Sequence, residues 1–430
     1  MLQRCLMLAC VFVLTVTLPL HAQQLRQAKA PEDVGLSSER LKRLSTTMQA
    51  AVDTGELPGV AVVIARQGQV AFGESVGFRD REAGTPMALD SIHRIASMTK
   101  PITSLAAMML VEEGRIGLSD PVFLYLPEFK ELKVGVEKKD DAGPAQLILE
   151  TPQRPMTVQD LLRHTSGLTY GFFGKSLVKD QYNDMKVTDP DQTNAEMVTK
   201  LAKLPLQYHP GTTWEYSMST DVLGRIIEVV SGIDLERFTH ERILKPLKMD
   251  DTGFWVEQPD KHGRIAQPQI DPATGKRPTV PDKSHRSNWL SGGGGMVSTA
   301  ADYAQFCQFL LNGGQLDGVR LVSRKTVAYM ASDHLPPGTR VNGFPAAVLD
   351  ARAENGQSFG LGFTVRVSPG RSAVPGSLGD FGWVGIFGTQ FWVDPQEQLF
   401  AVMMIQTTTP ATRAKYWTLM RDLVYQSLID

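Results

Sequence analysis

Strand-like segments sit near both ends of this chain, and helical patterns fill the middle. Near the start, Gly59 to Ala65 and Gln69 to Phe72 read as two strands around a turn at Gln67-Gly68. Near the end, Phe359–Val367, Gln390–Val393 and Leu399–Ile405 read the same way. Such apolar strands need covered faces, and amphipathic helices flank them: Ser37 to Asp53 on one side, Ala411 to Leu428 on the other. Between them, Thr157-Val158-Gln159-Asp160 is a capping box, Asp221 to Val230 is helical with Gly232 as its stop, and Thr299 caps a helix closed by Asn312-Gly313. Lys130 to Pro155 reads as an exposed excursion, and Gln258 to Asn288 as a long surface loop. The pattern predicts an α/β (α+β) fold. One antiparallel sheet forms from both chain ends (about 30–96 and 290–430), with a mainly helical insertion (about 97–289).

At 430 residues and 42% hydrophobic content, the chain can bury a large core. A net charge of −2, with no basic run, gives no footprint for nucleic acid and points to a small-molecule partner. Residues 1–22 read as a secretory signal: Arg4 is the only charge, Cys5 to Leu18 is apolar, and Pro19 breaks the run before a small residue at Ala22. The expectation is a secreted or periplasmic domain over 23–430 with no stable membrane span once cut. An uncleaved anchor is the alternative. The mature chain then keeps only Cys307, so no internal disulfide forms, and its helical apolar setting marks a buried thiol. The eight histidines lack metal-ligand spacing, so neither metal nor cofactor is expected.

Chemistry concentrates at Ser97-Met98-Thr99-Lys100, which opens an apolar helix ended by Gly114. Pro101 is tolerated only near a helix start, so Ser97 falls in the first turn and shares a face with Lys100. A desolvated lysine can take the serine proton, and the helix N-terminus favours charge developing on oxygen. A second Ser-x-x-Lys, at Ser176 and Lys179, precedes no apolar helix and reads as a surface coincidence. Two Gly-x-Ser-x-Gly matches, at Ser75 and Ser358, lack the strand-to-helix setting of a nucleophile elbow. Tyr216 sits on a loop before the Asp221 helix, within reach of a cleft. The glycine-rich run from Gly379 to Thr389 lets a substrate approach the backbone, and the amides of Ser97 and Ile386 suit an acyl oxyanion.

Taken in order, Ser-x-x-Lys, the tyrosine motif and the glycine-rich strand resemble the serine β-lactamase and penicillin-binding-protein superfamily. The likeness is greatest to its class C-like, family VIII carboxylesterase branch. The phrases S-M-T-K-P-I-T, L-L-R-H-T-S-G-L-T-Y, G-G-G-G-M-V-S-T and the Trp383 segment carry the resemblance. It implies Ser97 as acylated nucleophile, Lys100 as base or as helper of Tyr216, and Tyr216 as proton donor to the leaving group. Trp383, Val384, Gly385 and Met218 would line the substrate site, with His164 structural. Met218 stands where the β-lactamases carry asparagine, and Trp383-Val384-Gly385 where they carry Lys-Thr-Gly. Both losses favour uncharged esters, although weak β-lactamase or D-peptidase activity, acyl transfer and a non-catalytic binding role are the rivals.

Overall fold

The computed structural model describes residues 25–138, 145–342 and 353–430, so the leader expected over 1–22 lies outside the described residues. Labelled along the chain, the elements used below are α1 (Ser38–Asp53), β1 (Gly59–Arg66), β2 (Gln69–Asp80), β3 (Thr85–Pro86), α2 (Thr99–Glu112), α3 (Leu177–Asp184), α4 (Ser219–Ser231), α5 (Ala300–Leu311), β4 (Gln357–Phe359), β5 (Thr364–Arg366), β6 (Phe381–Val384), β7 (Gln390–Asp394), β8 (Leu399–Ile405) and α6 (Pro410–Tyr425). Eight strands form one sheet in the order β4-β5-β6-β7-β8-β1-β2-β3. Every neighbouring pair is antiparallel. The seam between the chain ends is β1 against β8, with Val60 opposite Ile405 and Arg66 opposite Leu399. The expected sheet from both termini is therefore present.

All residues of β1 and β8 are buried, which requires cover on both faces. Successive strand residues point to opposite faces, and β7 shows the two covers. Phe391 packs its ring 5.0 Å from Tyr303 of α5, whereas Gln390 donates to the Trp417 carbonyl of α6. On α1 the Ser37 hydroxyl caps the start, and Leu41, Leu44, Met48 and Val52 form the buried stripe.

Four local readings change. The strand expected over Phe359–Val367 is a hairpin of β4 and β5, turned at Gly362 with φ 108°, a conformation open to glycine. The excursion between Lys130 and Pro155 contains a paired ladder, Val134–Lys138 against Gln146–Glu150. The stretch from Gln258 to Asn288 is largely irregular as expected, yet Lys283 within it is buried and donates to the Phe254 and Gly295 carbonyls at 3.2 and 2.6 Å. Ser176 and Lys179 lie at the start of a helix, α3, and Lys179 is buried rather than superficial. Ser75 and Ser358 lie in strands, with no following helix, so neither is an elbow. Cys307 is fully buried and burial holds its thiol pKa well above the usual range.

Candidate active site

Ser97 occupies a short 3-10 turn, Ala96–Met98, that feeds directly into α2. Ala96 has φ 43°, a left-handed conformation rarely held by alanine, so the surroundings must fix it. They do so through the Met98 carbonyl, which accepts from Tyr303 Oη at 2.8 Å, and through Thr99 Oγ1, which accepts from the Met296 amide at 3.0 Å. From Thr99 to Leu110 every residue of α2 is buried, while Ser97 stays partly exposed. The chain thus drives a rigid helix into the core and leaves one hydroxyl at its tip.

Lys100 is fully buried one turn later. Its Nζ lies 3.5 Å from Ser97 Oγ, 3.2 Å from Tyr170 Oη and 2.6 Å from the Gly293 carbonyl. An ammonium has three hydrogens, and these three acceptors use them all. Nζ also lies 4.4 Å from the centroid of the Tyr216 ring. Glycine at 293 is required for this approach, because a Cβ there would stand 2.3 Å from Asp221 Oδ2 and 2.8 Å from Tyr170 Oη.

A cavity of about 220 Å³ opens over Ser97, room for an organic group rather than a single water. Tyr216, Trp383, Val384 and Ile386 line it with Ser97. The Tyr216 ring is 5.4 Å from that of Trp383, 5.4 Å from Tyr170 and 5.0 Å from His164. The wall is chiefly aromatic, and the charged side chains on it are Asp221 and Arg413. Arg413 donates through Nη1 to the Ile386 carbonyl at 2.7 Å. The amides of Ser97 and Ile386 donate to no acceptor among the described residues.

Two expected substrate contacts are not placed on the cavity. Met218 is fully buried at the start of α4 and is not part of the lining. Gly385 also lies behind it: its amide donates to the Thr389 carbonyl at 2.8 Å, and a Cβ would stand 2.3 Å from the Ile95 carbonyl. Its absent side chain lets the end of β6 press against the Ser97 turn, which is a packing task.

Two residues of the site, Tyr170 and Asp221, carry no role in the sequence analysis above. Tyr170, which ends the L-L-R-H-T-S-G-L-T-Y phrase, donates to Asp221 Oδ2 at 3.3 Å and accepts from Lys100. Asp221, read there only as a helix start, also accepts from Ser291 Oγ at 2.5 Å and the Gly293 amide at 3.0 Å. Burial raises the Asp221 pKa, against the nearby Lys100 charge and these hydrogen bonds. Burial, then Asp221 and Tyr216, hold the Tyr170 phenol well above its usual range, so it stays protonated. Burial, then Lys100, depress His164 well below the ordinary imidazole value, leaving a neutral ring whose Nδ1 pairs with Ser217 Oγ at 3.2 Å. Among the described residues no cluster of acidic, histidine and cysteine groups is set to hold a metal.

The antiparallel sheet with its covering helices, and a buried lysine beside a serine at a helix tip, define the β-lactamase and transpeptidase-like class of serine hydrolase fold. The chain belongs to the Beta-lactamase family, whose model matches residues 44–425. It is 28% identical to Esterase EstB of Burkholderia gladioli over 407 residues, covering 89% of this chain and 94% of the relative. Among solved structures, EstCE1, described as a hydrolase with promiscuous acyltransferase activity, aligns with TM-score 0.75 and 27% identity over 90% of this chain and 99% of its own. Simvastatin synthase from Aspergillus terreus shares the fold at TM-score 0.74, with 24% identity over 90% of this chain and 98% of its own. The relatives in this fold include esterases, acyltransferases and carboxypeptidase-like proteins.

Proposed function

We propose that this protein hydrolyses small, weakly charged carboxylic esters through an acyl-Ser97 intermediate. The observation that carries the reading is the contact of the buried Lys100 Nζ with Ser97 Oγ at the floor of an aromatic cavity. Once the Lys100 ammonium has released the proton it directs at Ser97, two hydrogens stay on the Gly293 carbonyl and Tyr170 Oη and a lone pair faces Ser97 Oγ. In the first step the Ser97 proton passes to Lys100 as Oγ attacks the ester carbon. The oxyanion is held by the Ser97 and Ile386 amides, whose donors are unspent. The proton then moves to the departing alkoxide, with Tyr216 as its last carrier, and the alcohol leaves. On the acyl-enzyme Tyr216 passes its phenolic proton to neutral Lys100 as it takes one from the attacking water, and Lys100 returns the proton to Ser97 Oγ as the acyl bond breaks and the acid leaves. The resident signal over residues 1–22 would deliver the domain to the periplasm or outside the cell.

Acyl transfer to an alcohol is the second reading, favoured by the apolar wall and by the likeness to EstCE1. Parallel rates on a nitrophenyl butyrate and a chromogenic cephalosporin test the substrate class. Faster cephalosporin turnover overturns the ester preference. A fluorophosphonate probe should add its mass at Ser97, and a chain that stays unlabelled there is not a serine hydrolase at this site.

A further inference from the structure

The lysine of the second Ser-x-x-Lys run contacts the backbone of one cavity-lining residue, Phe173, and the side chain next to another, Tyr216. Lys179 Nζ lies 2.8 Å from Glu215 Oε1, with the side chains 7% and 4% exposed. The carboxylate also accepts from Thr169 Oγ1 at 2.7 Å and from Asn342 Nδ2 at 2.6 Å. The same ammonium donates to the Phe173 carbonyl at 2.5 Å. One helical turn on, Asn183 Nδ2 donates to the Gly171 carbonyl at 3.0 Å. Helix α3 therefore grips both ends of the segment Gly171–Phe173.

That segment carries two rings of the cavity wall. Phe172 stacks on Tyr170 at 4.9 Å, and Phe173 lies 6.0 Å from Tyr216. Glu215 adjoins Tyr216 in the chain, so one ion pair ties the aromatic wall to the backbone of the phenol. A buried pair adds little stability over an apolar one of the same shape, yet it fixes geometry, because each donor and acceptor has one place to go.

We propose that Lys179 and Glu215 are positioning residues that hold the Phe172–Phe173 wall against Tyr216 and thereby set which acyl chains the cavity accepts. The selectivity part rests on the ester reading above; the positioning part does not.

Two variants of the full chain test it, Lys179→Met and Lys179→Met with Glu215→Gln. The second leaves no lone buried carboxylate and serves if the first fails to fold. In both, amide hydrogen exchange over residues 169–175 should quicken by about tenfold or more, which reads local opening. The kcat/KM ratio for nitrophenyl octanoate over acetate should move by about fivefold or more, mainly through KM. Unchanged exchange in the double variant overturns the positioning. Equal losses on both esters overturn the selectivity. A wild-type chain that cleaves no ester defeats the ester reading and the selectivity with it, while exchange still decides the positioning.

Discussion

Two Ser-x-x-Lys runs lie on this chain, and both lysines are buried at the foot of a helix. Spacing gives each pair a shared face; the neighbours decide what each pair does. At the second run Ser176 spends its hydroxyl oxygen on capping α3, accepting from the Lys179 amide at 3.0 Å, and donates to Gln207 Oε1 at 2.6 Å. Its lysine meets a carboxylate at 2.8 Å, which takes up the ammonium in a direct ion pair. At the first run Ser97 precedes α2 in a turn of its own and has no capping duty. Among the described residues its lysine donates to neutral oxygens alone: a carbonyl, a phenol and the serine. The acidic group, Asp221, stands one residue further off, behind Tyr170. On the proposed reading the first run can carry chemistry because its serine is left idle and, among the described residues, its lysine has no direct counter-ion.

The sharpest way to break that contrast is to remove each hydroxyl. Ser97→Ala should lower ester turnover by about 10⁴-fold and abolish fluorophosphonate labelling, whereas Ser176→Ala should leave rates within about twofold. Comparable losses from the two would end the distinction. Next come the lysines: Lys100→Met should cost about 10³ in kcat, the scale of general-base catalysis, in a chain whose circular dichroism is unchanged.

Lys179→Met should instead read in stability. It strands the Glu215 carboxylate and should cost about 3–5 kcal/mol in urea unfolding, most of it regained with Glu215→Gln. Lys283, a third buried lysine, sharpens the comparison through pH. Burial, then the Arg94 charge, bring its pKa from 10.5 down to about 8. Between those values the unfolded chain holds a proton that the folded chain lacks, so stability rises with pH. From pH 8 to about pH 9.5, wild type should gain about 2 kcal/mol over Lys283→Met, seen as a widening gap in unfolding free energy. The smallest effect belongs to Ser176→Ala in unfolding, about 1 kcal/mol for one lost cap.

Much of this was legible in residues that act locally. The Thr157 capping box, the stop at Gly114 and the apolar runs of β1 and β8 rest on neighbours in sequence, and the structure keeps them. Ser97, Lys100, Tyr216, Trp383 and Ile386 gather at one cavity, as their motifs suggested. What stayed hidden depends on partners far along the chain. Asp221 is unremarkable until Ser291 and Gly293 close on it, 70 and 72 residues away. Lys179 looked superficial because Glu215 lies beyond any local window. Met218 looked like a wall residue because the motif fixes its place in sequence but not the direction of its side chain, which packs inward.

The seam between β1 and β8 constrains how this molecule comes into being. A strand near the beginning must wait for one that ends at Ile405 before its outer hydrogen bonds are met. While the chain is being synthesised, Val60 to Arg66 therefore stay an unmatched apolar edge, open to sticking or to a chaperone. Closure comes late and over a long loop, so slow folding is expected. Clipping the tail after β7 should leave no smaller working enzyme behind.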